Sequence, residues 1–139
     1  MAREIPASNL DLREFVGTGD HIIWGQATGE PQTLTEALVQ QRESLGQVGV
    51  FLGSCFSRTL LPEHADCIRF SGFGAIGTAI ELTKAGVLDV VPCHVSQIAR
   101  YIADGHLRCD VAFVQVSPRG PDGRYSYGGI HDYTPAATA

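Results

Sequence analysis

The residues best suited to chemistry in this chain lie in one short loop, Gly25-Gln26-Ala27-Thr28-Gly29-Glu30-Pro31, which joins two glycines to a carboxamide and a carboxylate. Backbone N–H groups beside glycine can approach an oxyanion or a phosphate with no β-carbon in the way. A helix starting just beyond would add about half a positive charge. Such a loop can stabilise negative charge on a ligand oxygen; the other reading of the same spacing is a plain turn into a helix.

Gly72-Phe73-Gly74-Ala75-Ile76-Gly77 matches the G-x-G-x-x-G pattern of dinucleotide-binding turns. That chemistry also needs an acid about 20 residues on, at the carboxyl end of the next strand, to hold a ribose hydroxyl. Here that stretch ends Val90-Val91-Pro92-Cys93-His94, and the nearest acid, Asp89, stands at its start. The motif therefore reads as a close turn that glycine permits. His94, at a strand's carboxyl end, is placed to face a ligand. His21, His64, His106 and His131 have neither metal nor triad spacing and read as surface or satisfied side chains. Cys55 has no neighbouring base and there is no Gly-x-Ser-x-Gly elbow, so no nucleophile is assigned. Cys55, Cys67, Cys93 and Cys109 form no Cys-x-x-Cys and read as reduced, mostly buried thiols. No metal site is expected.

The elements that must position these residues alternate along the chain. Apolar strand candidates at residues 21–25, 48–52, 67–71, 88–92 and 109–116 are separated by amphipathic stretches, giving a βαβαβαβαβ order. Runs such as Val111-Ala112-Phe113-Val114 are apolar on both faces, as in a strand covered from both sides. The expected fold is α/β: an open, mostly parallel sheet of about five to six strands flanked by helices on both faces. Thr33 and Glu36 fit a capping box at the start of the first helix, and Gly46, Gly86 and Gly105 mark three helix ends. The stretch around Pro62 allows a turn or two. Tyr125-Ser126-Tyr127 reads as a short edge strand, and residues 134–139, small and featureless, do not close the fold.

Of 139 residues, 44% are hydrophobic and 18% charged, which suits one globular domain with a core and is too short for two ordinary ones. A net charge of -5 argues against nucleic acid as a partner. No stretch approaches the roughly 18 to 20 apolar residues of a membrane helix, and no leader pattern opens the chain, so a cytoplasmic, soluble protein is expected.

Taken together, two segments in this order resemble the acetyl-CoA hydrolase/transferase family, which includes 4-hydroxybutyrate and butyrate CoA-transferases. They are residues 25–31 and Cys109-Asp110-Val111-Ala112-Phe113-Val114-Gln115-Val116-Ser117-Pro118, the second continued by Asp122-Gly123 and Tyr125-Ser126-Tyr127-Gly128. The resemblance implies that residues 1–139 are the amino-terminal domain of a two-domain enzyme acting on acyl-CoA and a small carboxylic acid. It implies a coenzyme A thioester as substrate and no tightly bound cofactor. A glutamate in the other half attacks the thioester, so no catalytic residue is assigned in this chain. Substrate-binding positions fall on Gly25, Gln26, Gly29, Glu30 and Pro31, with His94, Ser117 and Pro118 nearby. The missing half is expected as a carboxyl-terminal portion or as a partner subunit, and a half that lacks its mate is expected to self-associate into a homo-oligomer. The alternatives are a stand-alone subunit and a non-catalytic module that binds acyl-CoA or a nucleotide.

Overall fold

The computed structural model describes residues 3–139. Strands β1 (His21–Trp24), β2 (Val48–Leu52), β3 (Ile68–Gly72), β4 (Leu88–Val90) and β5 (Val111–Phe113) form one sheet in the order β4-β3-β2-β1-β5. Every neighbouring pair is parallel. Four helices accompany them: α1 (Gln32–Leu45), α2 (Ile80–Lys84), α3 (Val95–Ala103) and α4 (Thr134–Ala137). The expected α/β architecture is therefore present, with five strands.

Strand alternation sorts the core into two layers. On one face Ile22, Trp24, Val48, Val50, Leu52, Ile68, Phe70 and Phe113 pack with Leu38 and Leu45 of α1 and Leu82 of α2. Trp24 and Phe113, paired in register, stack with ring centroids 6.1 Å apart. On the other face Ile23 and Phe51 meet Ile98 of α3 and Tyr133, which precedes α4. Burial on both sides explains why β1 and β2 read as continuous apolar runs.

The direction of winding matters for the site. From β1 the chain steps outward through β2, β3 and β4, then returns across the sheet to place β5 on the other side of β1. The order reverses between β1 and β5, and open α/β sheets bind ligands outside the carboxyl ends of strands at such a reversal.

Several local expectations are corrected. No Thr33–Glu36 capping box forms: α1 begins at Gln32 behind Pro31, with no side-chain cap, because Glu30 anchors the entry by accepting a hydrogen bond from the Thr35 hydroxyl at 2.9 Å. The second helix begins at Ile80 rather than near Ile76, since residues 73–79 form a turn pinned to Cys55 by a bridge at Gly77. Strand β5 ends at Phe113 rather than Val116, because its partner β1 ends at Trp24. Strand β4 stops at Val90, two residues before Pro92, which has no N–H for a ladder. Residues 125–127 join no ladder; Ser117 donates its N–H to the Ser126 carbonyl, but the Ser126 N–H bonds the Ser117 hydroxyl instead. The carboxyl-terminal residues are not featureless: Tyr133 and Thr134 are buried, and α4 packs against α3 and β1.

The turn around Pro62 becomes a 3-10 segment, Pro62–Asp66, with proline in its first turn. His64 in it is satisfied, its Nδ1 accepting the Leu61 N–H at 3.1 Å. His21 is not: its Nδ1 is buried with no partner among the described residues. Its ring lies over Gly49, where any β-carbon would overlap it.

Candidate functional site

The loop 25–31 leaves β1 at the reversal point and is held from three sides. From within, Gly29 donates its N–H to the Gln26 carbonyl and Glu30 to that of Ala27, which closes a 3-10 turn, Ala27–Gly29. From the end of β2, the Ser54 carbonyl accepts the Ala27 N–H at 2.7 Å and the Ser54 N–H donates to Gln26 Oε1 at 3.1 Å. From the carboxyl terminus, Asp132 Oδ2 accepts from Gln26 Nε2 at 2.6 Å. Ala27 has φ 52, a left-handed conformation that a residue with a β-carbon adopts only under constraint.

Residues 130–134 lie across this loop as a strap. The Tyr133 hydroxyl donates to the Trp24 carbonyl at 3.0 Å. A β-carbon on Gly29 would stand 3.2 Å from the Ile130 carbonyl, and one on Gly25 would stand 3.3 Å from the Thr134 hydroxyl. Gly53 is tighter than either, since a β-carbon there would fall 2.5 Å from Gln26 Cβ and 2.7 Å from the Tyr133 hydroxyl. These glycines serve close packing of loop and strap.

Glu30 Oε1 accepts hydrogen bonds from the Thr35 and Ser57 hydroxyls, both at 2.9 Å. The carboxylate thus ties the loop to α1 and to the segment after β2. Cys55, beside it, is buried, and burial followed by the charge of Glu30 pushes its thiol up to about 12. A thiol so protonated is no nucleophile at neutral pH. All four cysteines are free. Among the described residues no group of three or more His, Cys, Asp or Glu is placed to hold a metal, and no helix is long and apolar enough to cross a membrane.

The structure brings Gly25, Gln26, Gly29, Glu30 and Pro31 together. Ser117 and Pro118 come after the adjacent β5, beyond its last residue Phe113, and there Ser117 bonds Ser126 through both its N–H and its hydroxyl. His94 stands apart: it follows β4, three strand spacings or about 14 Å across the sheet from β1. There it caps α3, its Nδ1 accepting the Ser96 N–H while Gln97 Oε1 accepts the His94 N–H. The glycine turn at 72–77 does not open a helix, so no helix start faces Gly72 and Gly74. A β-carbon on Gly77 would overlap the Cys55 carbonyl, so close approach is what this glycine permits.

A family model for the acetyl-CoA hydrolase/transferase N-terminal domain matches residues 6–138. The chain belongs to this family. A 4-hydroxybutyrate coenzyme A transferase of Clostridium kluyveri is 27% identical over 123 residues, covering 84% of this chain and 28% of that protein. The crystal structure of a 4-hydroxybutyrate CoA-transferase from Porphyromonas gingivalis superposes with a TM-score of 0.64 at 25% identity, covering 91% of this chain and 28% of that one. RipA from Yersinia pestis shares the fold, with a TM-score of 0.73 at 22% identity over 82% of this chain and 29% of its own. The chain spans under a third of the length of these relatives.

Sequence reasoning passed over Asp132, Tyr133, Ser57 and Gly53. The one available signal was a tyrosine and an aspartate set among small residues near the end of the chain; the contacts themselves span more than 100 positions.

Proposed function

We propose that this chain is the amino-terminal part of an acyl-CoA hydrolase or transferase. It would supply the oxyanion and acyl-pocket loop to thioester chemistry whose glutamate nucleophile lies outside residues 1–139. The observation that carries the reading is the 25–31 loop, braced from three sides at the strand-order reversal of a family member. In the reaction a glutamate oxygen attacks the thioester carbonyl, charge builds on the carbonyl oxygen, the C–S bond breaks, and CoA leaves as thiolate from an acyl-glutamyl anhydride. The CoA thiolate then attacks the glutamyl carbonyl, releasing the first acid. A second carboxylate takes the CoA in a transferase, and water cleaves the thioester in a hydrolase. Donors aimed at the developing oxyanion are worth about 3 to 4 kcal/mol each in such sites.

The test is CoA release from acetyl-CoA, with and without butyrate, by the chain alone and by the chain mixed with the carboxyl-terminal part of a 4-hydroxybutyrate CoA-transferase. The expected result is no turnover alone and turnover on mixing. Turnover by the chain alone would place the nucleophile within it and overturn the reading. The same proposal makes the isolated chain self-associate, since Phe56, Leu61, Ile76 and Ile80 expose 64%, 40%, 45% and 43% of their surface. Sedimentation at micromolar concentration is expected to show dimers or larger species, and a strict monomer would count against a missing mate.

A further inference from the structure

Three of the loop's backbone amides, at Ala27, Gly29 and Glu30, are already bonded within the protein. Those three amides are not available to a ligand oxygen, and the Gln26 side chain offers a donor beside them. Its carboxamide carries two N–H donors and one oxygen. The oxygen accepts the Ser54 N–H, and one N–H goes to Asp132. Among the described residues the second N–H has no partner.

A glutamine amide can usually turn over, exchanging its oxygen and nitrogen. Here it cannot without placing oxygen against the Asp132 carboxylate and NH2 against the Ser54 N–H. Gly53 closes the third side, since even a β-carbon there would lie 3.0 Å from Gln26 Oε1. Asp132 itself is held at φ 26, so both ends of this bond sit beside or on left-handed residues that carry a β-carbon. Strain at two positions around one 2.6 Å hydrogen bond marks a geometry that the surroundings enforce.

We propose that Asp132 is a positioning residue that fixes the orientation of the Gln26 carboxamide so that its second Nε2–H donates to the carbonyl oxygen of a bound acyl thioester. This rests on the function proposed above and adds the donor and the residue that aims it. Asp132 acts only through Gln26 and touches no substrate.

The test is a double-mutant cycle on the full chain, read by acetyl-CoA binding and by the Gln26 side-chain NH2 resonances of labelled protein. In the free protein one Gln26 side-chain proton should exchange slowly with water, and Asp132→Ala should abolish that protection. Acetyl-CoA should shift the other proton. Asp132→Ala should weaken binding by about tenfold, the usual scale for a charge-assisted hydrogen bond, but change nothing in a Gln26→Ala background. Asp132→Asn, which keeps the shape and a carbonyl acceptor for the same N–H, should retain much of the protection that Asp132→Ala loses. An equal loss in both backgrounds would make Asp132 a structural residue and overturn the proposal. If acetyl-CoA moves the backbone amides of Gly25 and Gly29 but not the Gln26 side chain, the functional reading stands and this inference fails. If it moves neither, both fail.

Discussion

At the scale of single residues, the site shows how a side chain that looks chemical can be held in structural service. Glu30 is the most conspicuous carboxylate of the loop, yet one of its oxygens accepts two hydroxyl hydrogen bonds. Glu30→Gln keeps a carbonyl acceptor at that point and is expected to change stability by less than about 0.5 kcal/mol. Glu30→Ala leaves Ser57 without its partner, while Thr35 falls back on the Gln32 carbonyl at 3.2 Å; a cost of about 1 kcal/mol follows. Urea unfolding of the two variants checks this, and equal midpoints would show that the hydroxyls do not anchor the loop. Cys55 makes a second case. With its thiol pushed up to about 12, on the order of one molecule in ten thousand carries thiolate at pH 8. In the native protein iodoacetamide is therefore expected to reach Cys55 last of the four, read by mass of the labelled peptides. Early labelling of Cys55 would contradict its burial.

At the scale of elements, what could be read from the sequence was whatever depends on near neighbours. The strand runs, the helix ends at Gly46, Gly86 and Gly105, each at positive φ, and the turn after Pro62 all follow from local rules. What failed was whatever depends on a distant partner. β5 was cut short by the end of β1, and the bonds from the strap to Gln26 and Trp24 reach across more than 100 positions. The Pro62–Asp66 turn gives this scale its prediction. Burial first, and then the positive charge of Arg42, hold the His64 imidazole below its ordinary pKa. Its Nδ1 must be unprotonated to accept the Leu61 N–H. The folded value therefore lies below the unfolded one of about 6.5. The stability this supplies is complete above about pH 6.5 and is lost as pH falls through the folded value. The urea midpoint should drop over that acidic interval in the native chain and stay flatter in His64→Gln. Parallel curves for the two proteins would remove His64 as the cause.

At the scale of the whole molecule, the two faces of the sheet are unequally covered. Among the described residues, fifteen buried apolar residues join the layer with α1 and α2, and four join the layer with α3 and α4. The second layer also leaves part of its face open, a depression of about 540 Å³ whose walls include His21, Arg69, Ser71 and Asp89. Local stability follows buried apolar contact, so α3, α4 and the strap should open before the sheet does. The strap holds Asp132 and Tyr133 over the 25–31 loop, which makes the candidate site a product of the weaker layer. Native-state hydrogen exchange should then show two tiers: amides of α3 protected less than those of β1 and β2, with the Ala27 amide following α3. Ile98→Ala, which removes the fully buried side chain of α3 at a cost of about 2 to 5 kcal/mol, should deepen that difference by lowering the layer with α3 and α4 alone. If the substitution lowers protection of β1 and β2 by the same amount, the chain unfolds as one unit and the loop has the full stability of the sheet behind it.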